Sequence, residues 1–280
     1  MAKIHWFPGH MAKALREMEE EIKNVDMVIY MLDARAPKSS VNPEFVKIIG
    51  VKPILYVLNK ADLVEKADLD KFKAYFKKDN TEVIELNSTE SGAIRKIEPI
   101  MTTLCKDKLE KYKAKGFKIN LRAMVLGIPN SGKSTLINNL CGVKKAITGD
   151  KAGVTRGRQW LALKNGFEIL DTPGTLWPNI TNQQMAQNLA FIGSVRNEVV
   201  DMGELCIDFL NFCKKNYFNN LTEKYEIEDN TLSALEMLDQ IAEFKHHLLK
   251  GGELDYDRTC FAIIDDFRKG RLGKITLDKA

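Results

Sequence analysis

Residues Gly127 to Thr135 read GIPNSGKST, and this stretch decides the fold. It matches the pattern G-x-x-x-x-G-K-[ST], in which a glycine-rich turn joins a buried strand to the start of a helix. The residues before it, INLRAMVLG, are apolar enough for such a strand, and a helix is expected to begin near Lys133. The stretch therefore predicts a phosphate-binding loop (P-loop) at the C-terminal edge of a parallel sheet.

The P-loop predicts both phosphate and magnesium contacts. Its backbone N–H groups and the helix N-terminus would surround the phosphates, Lys133 would neutralise the β- and γ-phosphates, and the Ser134 hydroxyl would coordinate Mg²⁺. The alternative is a glycine-rich turn without a ligand, which the strand before it and the helix after it disfavour. The loop residues predicted to contact the nucleotide are Asn130, Ser131, Gly132, Lys133, Ser134 and Thr135.

A second phosphate signal is DTPG, Asp171 to Gly174, which follows a predicted strand. Asp171 would hold the magnesium through water, and the Gly174 N–H would meet a γ-phosphate. DTPG alone is a common turn sequence and therefore a weak signal, but its position after the P-loop favours a contact with phosphate. Between the two motifs, Thr155 in GVTRG is the candidate for the switch threonine that completes the magnesium shell; a surface threonine is the alternative.

The base is specified by VLNKADLV, Val57 to Val64, which contains an N-K-x-D element. The Asp62 carboxylate accepts from both N1–H and the exocyclic amino group of guanine, whereas adenine offers no such pair. Polar sites of this kind discriminate by about 10⁴ or more. Asn59 and Lys60 would brace the loop and the base. The residues expected to contact the guanine carbonyl from the next strand end are Asn87, Ser88 and Thr89.

The order of the motifs is unusual, because NKxD and NST precede the P-loop, the switch threonine and DTPG. A binding site depends on where strand ends meet in space, so a circularly permuted chain can rebuild it. The basic segment Cys105 to Arg122 would then supply the new connection between the two parts.

Apolar strands alternate with helices in the first part of the chain, which predicts a mostly parallel sheet with helices on both faces. Beyond Pro178 the pattern is mostly helical. The fold class is therefore α/β, with a circularly permuted Ras-like P-loop domain at residues 1–178 and a smaller all-α domain at 179–280. The predicted strands are Met27–Leu32, Ile54–Leu58, Val83–Leu86, Ile119–Gly127 and a hairpin of Gln159–Leu163 and Phe167–Leu170 turning at Asn165-Gly166. The predicted helical stretches of the first part include Ala12–Lys23, Pro43–Ile49, Lys66–Lys77 and a longer one, roughly Ala93–Lys115.

Composition is that of a soluble protein of 280 residues, 44% of them hydrophobic. No apolar run is long enough to span a membrane and the N-terminus lacks the apolar centre of a signal peptide, so the cytoplasm is the expected location. The five cysteines lack C-x-x-C spacing, which disfavours a zinc site or a disulfide framework. Residues 1–175 carry 30 Lys and Arg against 21 Asp and Glu, net +9, and residues 176–280 carry 12 against 17, net −5. The basic clusters are solvated faces or contacts for a polyanion such as RNA.

Together with WFPGHMAKA at Trp6 to Ala14, DARAP at Asp33 to Pro37, and LWP after DTPG, these motifs resemble the circularly permuted GTPases of the ribosome biogenesis GTPase A family. The specific motifs cover about the first 180 residues, and the helical remainder matches by size and position only. The resemblance implies a GTP-binding and GTP-hydrolysing assembly factor for the large (50S) ribosomal subunit. Such a factor binds the subunit precursor and its rRNA in the GTP state, leaves after hydrolysis to GDP, is not a membrane protein and is monomeric off the ribosome.

The resemblance also implies roles for particular residues. Thr175 stands where a Ras-like protein has the glutamine that orients water and where this family usually has an apolar residue. In the family that water-positioning role belongs to the histidine of FPGH, which matches His10; the alternative is that His10 packs or caps near the first helix. Asn130 resembles the asparagine that potassium-activated GTPases use as a K⁺ ligand. Intrinsic turnover is expected to be low and stimulated by the ribosomal particle.

Two other interpretations remain open at this point. The chain could be a GTP-gated RNA-binding scaffold in which hydrolysis is incidental. A membrane or signalling GTPase is a weaker alternative, since no lipidation motif is present. RNA contact is expected from the basic linker and the switch region, with local basic spots at Lys214-Lys215 and Arg268 to Arg271.

Overall fold

A computed structural model describes residues 9–117, 119–142, 159–163 and 166–279. The first, α/β part is followed by a helical part that begins after the last strand. None of the described helices is long and apolar enough to cross a bilayer. The strands are β1 Met27–Asp33, β2 Ile54–Asn59, β3 Thr81–Leu86, β4 Leu121–Gly127, β5 Gln159–Ala162 and β6 Phe167–Asp171, and the α-helices are α1 Gly9–Glu21, α2 Pro43–Ile49, α3 Lys66–Phe76, α4 Ala93–Leu104, α5 Lys106–Ala114, α6 Lys133–Cys141, α7 Gln183–Phe191, α8 Met202–Asn216, α9 Phe218–Tyr225, α10 Ala234–Phe244 and α11 Tyr256–Arg268.

In the described residues the strands form one sheet in the order β3-β2-β1-β4-β6-β5. All neighbouring pairs are parallel except β5 with β6, which confirms the predicted hairpin strands. Strand β1 is buried along its whole length, as expected of a strand covered by helices on both faces. The predicted mostly parallel α/β sheet is confirmed.

The strand that leads into the P-loop, β4, comes fourth in the chain but lies next to β1 in the sheet. β1 pairs with β4, so that Met31 lies opposite Gly127 at the start of the P-loop. β1 also pairs with β2, placing Asp33 opposite Asn59. The C-terminal ends of β1, β2 and β3 therefore lie beside the P-loop although they precede it in the chain, which is the arrangement predicted for a circular permutation.

The helical stretch predicted between β3 and β4 is confirmed, with one break in it. The stretch Ala93–Lys115 forms two helices, α4 and α5, which are separated at Cys105. α4 buries Ile97 and Met101 in the core under the sheet, whereas α5 has no buried residue and is rich in lysine. α5 still contacts this core through the partly buried Leu109. Smaller differences are that β3 begins at Thr81 and that Asn165, in the predicted turn, lies outside the described residues.

The helical part packs around one apolar cluster that also contains residues of the α/β part. Leu176 and Trp177, just after DTPG, belong to it, together with Ile128 of the P-loop and Met11 of α1. The residues that follow DTPG are thus embedded in the core of the helical part. A domain boundary near residue 178 stays a prediction.

Candidate nucleotide site

The P-loop has the shape that its glycines and asparagine predict. Gly132 has φ +95° and Asn130 φ +59°, both in the left-handed region. The Lys133 ammonium is buried and donates to the carbonyl oxygens of Gly127 and Ile128, at 2.8 Å each. Burial lowers the pKa of Lys133 to about 8, and the Asp171 carboxylate acts against this shift. The ammonium therefore lies inside the loop, where a phosphate would replace the two carbonyl partners.

DTPG lies against the P-loop. A Cβ placed on Gly174 would fall 2.8 Å from both the Lys133 ammonium and the Pro129 Cα, so only glycine fits there without displacement. Asp171 ends β6 beside Val125 of β4 and is 3% exposed. Burial raises its pKa to about 6, against the effect of Lys133. Its Oδ1 atom is buried and has no hydrogen-bond partner in the described part of the chain.

Asn59 joins three of the predicted motifs. Its Nδ2 donates to the Ser131 carbonyl at 2.8 Å, and its Oδ1 accepts from the Ser88 N–H at 2.9 Å. A Cβ on Gly132 would lie 2.1 Å from the Asn59 amide nitrogen, so the P-loop and the NKxD loop are in direct contact. The structure therefore brings the NKxD, NST and P-loop residues to one edge of the sheet.

The N-K-x-D loop begins with an unusual backbone conformation. Lys60 has φ +60°, in the left-handed region, and its ammonium donates to Asp33 Oδ2 at 2.7 Å and to the Asn130 carbonyl at 3.0 Å. Asp62 follows on a short 3-10 turn and is exposed. In the neighbouring NST motif, Asn87 Oδ1 accepts from the N–H and hydroxyl of Thr89. The Asp62 carboxylate is therefore accessible to a base lying over this edge.

The structure describes only some of the residues predicted to act in hydrolysis. His10 lies in the first turn of α1 and is exposed, while its neighbour Met11 is buried in the cluster that contains Ile128 and Leu176. Thr155 lies outside the described residues. Thr175 is fully buried; its carbonyl accepts from the Asn42 amide at 3.1 Å, and its hydroxyl has no partner among the described residues.

Contacts between the site and the helical part escaped the sequence reasoning. The Asn130 amide donates to the Gly193 carbonyl at 2.6 Å, and the Ser194 hydroxyl donates to the Pro129 carbonyl at 2.8 Å. Arg35 of DARAP is buried against Asp33 at the end of β1. The DARAP motif was a signal for Arg35, whereas no local pattern marks Gly193 or Ser194.

Two of the basic spots predicted to contact RNA are engaged within the protein. Arg268 donates to the carbonyls of Phe191 and Ala190, and burial lowers the pKa of its guanidinium to about 10. Lys214 donates to the Leu232 carbonyl at 2.6 Å. The exposed basic residues of α5, in contrast, lie on a helix with no buried side chain.

Comparison with known proteins gives concordant matches. A family model described as 50S ribosome-binding GTPase matches residues 122–244. Ribosome biogenesis GTPase A of Bacillus licheniformis is 38% identical over 99% of this chain and 98% of its own length, and that of Bacillus cereus is 39% identical over 98% and 93%. The crystal structure of GNP-bound YlqF from Thermotoga maritima aligns with a TM-score of 0.63 at 28% identity, covering 95% of this chain and 98% of that one.

Proposed function

The chain belongs to the ribosome biogenesis GTPase A family, and from this premise we propose that it is a GTPase that assists assembly of the large (50S) ribosomal subunit. It would bind the maturing subunit in the GTP state and leave after hydrolysis to GDP. The observation that carries this proposal is the Asn59 amide, which contacts Ser131 of the P-loop and Ser88 of the NST motif. Base-reading and phosphate-binding residues thereby share one site.

Guanine would be recognised by the exposed Asp62 carboxylate, which accepts from N1–H and the exocyclic amino group. Lys60 and Asn59 would brace the loop against the P-loop through their contacts with Asn130 and Ser131. The residues after β3, Asn87, Ser88 and Thr89, would contact the guanine carbonyl. Adenine leaves the carboxylate without a paired donor, which disfavours ATP.

Phosphate binding would engage the backbone N–H groups from Asn130 to Thr135 and the Lys133 ammonium. Magnesium fits the site, because the buried Asp171 Oδ1 lacks a partner in the described chain and needs a cationic or hydrogen-bonding one. Ser134 and Thr155 would be direct ligands, and Asp171 would act through water. When bound, Mg²⁺ neutralises charge on the β- and γ-phosphate oxygens.

Hydrolysis requires a water molecule in line with the γ-phosphate. The oxygen of that water bonds to the γ-phosphorus as the bond to the β–γ bridging oxygen breaks, and GDP and phosphate leave. The N–H of Gly174 would hold the γ-phosphate and the Lys133 ammonium would stabilise the transferred charge. His10 would position the water; burial of Met11 beside the P-loop cluster supports a location of α1 near this point.

The His10 role is tested by His10→Ala. We expect stimulated turnover to fall while GTP affinity stays nearly constant, because the imidazole acts on water and not on the nucleotide. His10→Gln is the matched variant, since an amide can still orient water. Unchanged stimulated turnover in His10→Ala would contradict the role.

A potassium ion near Asn130 is a further part of the proposal. A cation there would stabilise charge on the phosphates as an arginine finger does. The Asn130 amide nitrogen is directed to the Gly193 carbonyl, so the helical part fixes the side chain that would face the ion. Hydrolysis should be faster in KCl than in NaCl, and equal rates would contradict it.

The partner would be a large-subunit precursor and its rRNA, contacted by the exposed lysines of α5 and by the switch region. Such contacts weaken steeply with salt, because binding releases counterions from the phosphate backbone. The protein would act in the cytoplasm and be monomeric off the ribosome.

One experiment separates this function from a GTP-gated scaffold. GTP turnover is measured for the protein alone, with mature large subunits, and with precursor particles, and GTP-dependent binding is measured on the same particles. Stimulation of turnover supports the assembly GTPase. Binding without stimulation supports the scaffold, and no GTP-dependent binding to either particle contradicts both.

A further inference from the structure

A buried carboxylate connects the guanine-reading loop to the DARAP motif. Asp33 is 1% exposed and accepts from Arg35 through both oxygens, at 2.9 Å from Nε and 2.8 Å from Nη2. The same carboxylate accepts from the Lys60 ammonium at 2.7 Å. Burial opposes its charge, but Arg35 and Lys60 outweigh this effect and hold the pKa of Asp33 well below its usual range. Asp33 is therefore ionised and fixes both cations.

The buried Arg35 shares this one carboxylate with the partly exposed Lys60, so the guanidinium needs a further negative partner. It has one in the C-terminal end of α11, where its Nη1 donates to the carbonyls of Phe267 and Arg268 at 3.2 Å each. Both carbonyls lie in the last turn of the helix, where its partial negative charge is concentrated, and that of Phe267 also accepts from the Gly270 N–H at 3.0 Å. The guanidinium also lies 4.8 Å from the centre of the Phe267 ring. The helical part therefore compensates a charge next to the base site.

A second route returns from the helical part to the P-loop. Arg268 donates to the end of α7, at the Ala190 and Phe191 carbonyls. The next turn holds the P-loop, through Gly193 to the Asn130 amide and Ser194 to the Pro129 carbonyl. Lys60 closes the ring by donating to the Asn130 carbonyl. The base loop, α11, α7 and the P-loop thus form one closed set of polar contacts.

The segment after α11 adds contacts of its own to the base loop. The Ile275 N–H donates to the Leu63 carbonyl at 3.3 Å, and the Leu277 N–H donates to the Arg35 carbonyl at 2.7 Å. A Cβ on Gly270 would lie 2.4 Å from a methyl group of Leu63, so the Leu63 side chain packs directly on the Gly270 backbone. Leu63 directly follows Asp62, and the helical part therefore contacts the turn that carries Asp62.

We propose that Arg35 is a positioning residue for guanine recognition, which holds Lys60 in place through Asp33 and is itself held by the end of α11. This inference rests on the proposed function, since it concerns how that site holds its base. Seating of the helical part and tight binding of guanine are then coupled. The backbone of Lys60 is in the left-handed region, which non-glycine residues rarely adopt, and the contacts of its ammonium oppose relaxation of the turn that presents Asp62.

The test compares base binding with phosphate binding in Arg35→Gln. We expect GDP affinity to fall by about tenfold or more, a typical size for coupling between sites. Affinity for pyrophosphate, which has no base, should change less than about twofold, because the P-loop retains Asn59, Gly193 and Ser194. Arg35→Lys keeps the charge but loses the two-point contact, so it should restore part of the GDP affinity.

Arg122→Gln is the matched control, because Arg122 also pairs with a carboxylate, Glu168, and lies over an aromatic ring, Trp160. That group is exposed near the start of β4, at the end of the strand away from the P-loop, and its loss should leave GDP affinity unchanged. A purely structural role for Arg35 would lower unfolding stability while GDP and pyrophosphate affinities fall equally. That outcome, or an unchanged GDP affinity, would overturn the proposal.

A second measurement uses the parent protein and does not depend on a variant that folds. Coupling is reciprocal, so GDP should slow amide hydrogen exchange at the end of α11 and in the turn after it, residues 265–273, whereas pyrophosphate should not. Unchanged exchange in these residues with saturating GDP would overturn the inference alone. If the parent protein binds GDP no better than ADP, the proposed function fails first.

Discussion

Replacing Gly174 by alanine tests whether closure of DTPG on the P-loop drives hydrolysis. The added Cβ would lie 2.8 Å from the Pro129 Cα and 2.9 Å from the Pro129 nitrogen, whereas ordinary contact begins at 3.4 Å. The two segments must therefore separate by about 0.6 Å. Pro129 cannot easily move away, because its carbonyl accepts from the Ser194 hydroxyl at 2.8 Å.

Misplacement of a catalytic group by about 1 Å costs about 10²-fold in rate, so we expect the stimulated hydrolysis rate of Gly174→Ala to fall by roughly 10- to 100-fold. GDP affinity should stay within about threefold, because GDP has no γ-phosphate for the Gly174 N–H to meet. The assay is single-turnover GTP hydrolysis with saturating large subunits, together with GDP titration.

Gly203→Ala is the control for this substitution. Gly203 also has a negative φ, but its Cβ would approach only a side-chain oxygen of Asp201, at 3.3 Å. It lies in the first turn of α8, away from the P-loop, so hydrolysis should be unchanged. Hydrolysis by Gly174→Ala at the parent rate would refute the reasoning, and a parallel loss of GDP affinity would show that the loop itself is disrupted.

Three further predictions concern the base, a buried hydroxyl and acid stability. Asp62→Asn should weaken GDP binding by about 10²- to 10⁴-fold, because two charge-assisted hydrogen bonds to guanine are lost. In competition titrations the variant should favour xanthosine diphosphate over GDP. An equal loss of affinity for both nucleotides would contradict the proposed role of Asp62. Thr175→Val removes a buried hydroxyl that has no partner among the described residues, and it should raise the free energy of unfolding in urea by about 1 kcal/mol. Thr172→Val loses a 2.6 Å hydrogen bond from the hydroxyl to the Val125 carbonyl, and it should lower that free energy by about 1–3 kcal/mol. Burial acts against the charge of Asp266, but contacts with Lys245, Arg271 and Tyr225 outweigh this effect and hold the pKa of Asp266 below its usual range. The ionised carboxylate therefore stabilises the fold above its unfolded pKa of about 3.9, and this contribution is lost as the pH falls. The difference in urea midpoint between the parent and Asp266→Asn should accordingly shrink from pH 6 to pH 3.

The sequence indicated which motifs meet at one edge of the sheet, because these motifs lie at strand ends and in a glycine-rich turn; their roles toward a nucleotide stay a prediction. Gly132 and Lys133 have local patterns, and Asn59 lies at the end of a strand whose position follows from its apolar run. The break between α4 and α5 at Cys105 was not predicted, since good helix formers continue across it.

Contacts between distant parts of the chain could not be predicted in the same way. Arg35 donates to carbonyls more than two hundred positions later in the chain, at Phe267 and Arg268. No periodicity in either segment encodes that pairing, because a helix end accepts any suitably placed cation. For the same reason Arg268 resembled a surface charge, although its donors are directed to the end of α7.

The order of the strands also has a consequence for synthesis of the protein. β1, β2 and β3 are neighbours in both the chain and the sheet, so the half that carries the NKxD and NST motifs can fold as a unit while the ribosome still makes the rest. Until β4 arrives, the edge of β1 is an unpaired apolar strand, which is a hazard for aggregation. The nascent protein would therefore have the edge proposed to read guanine before it has the loop proposed to hold a phosphate, and nucleotide could not stabilise it during that interval.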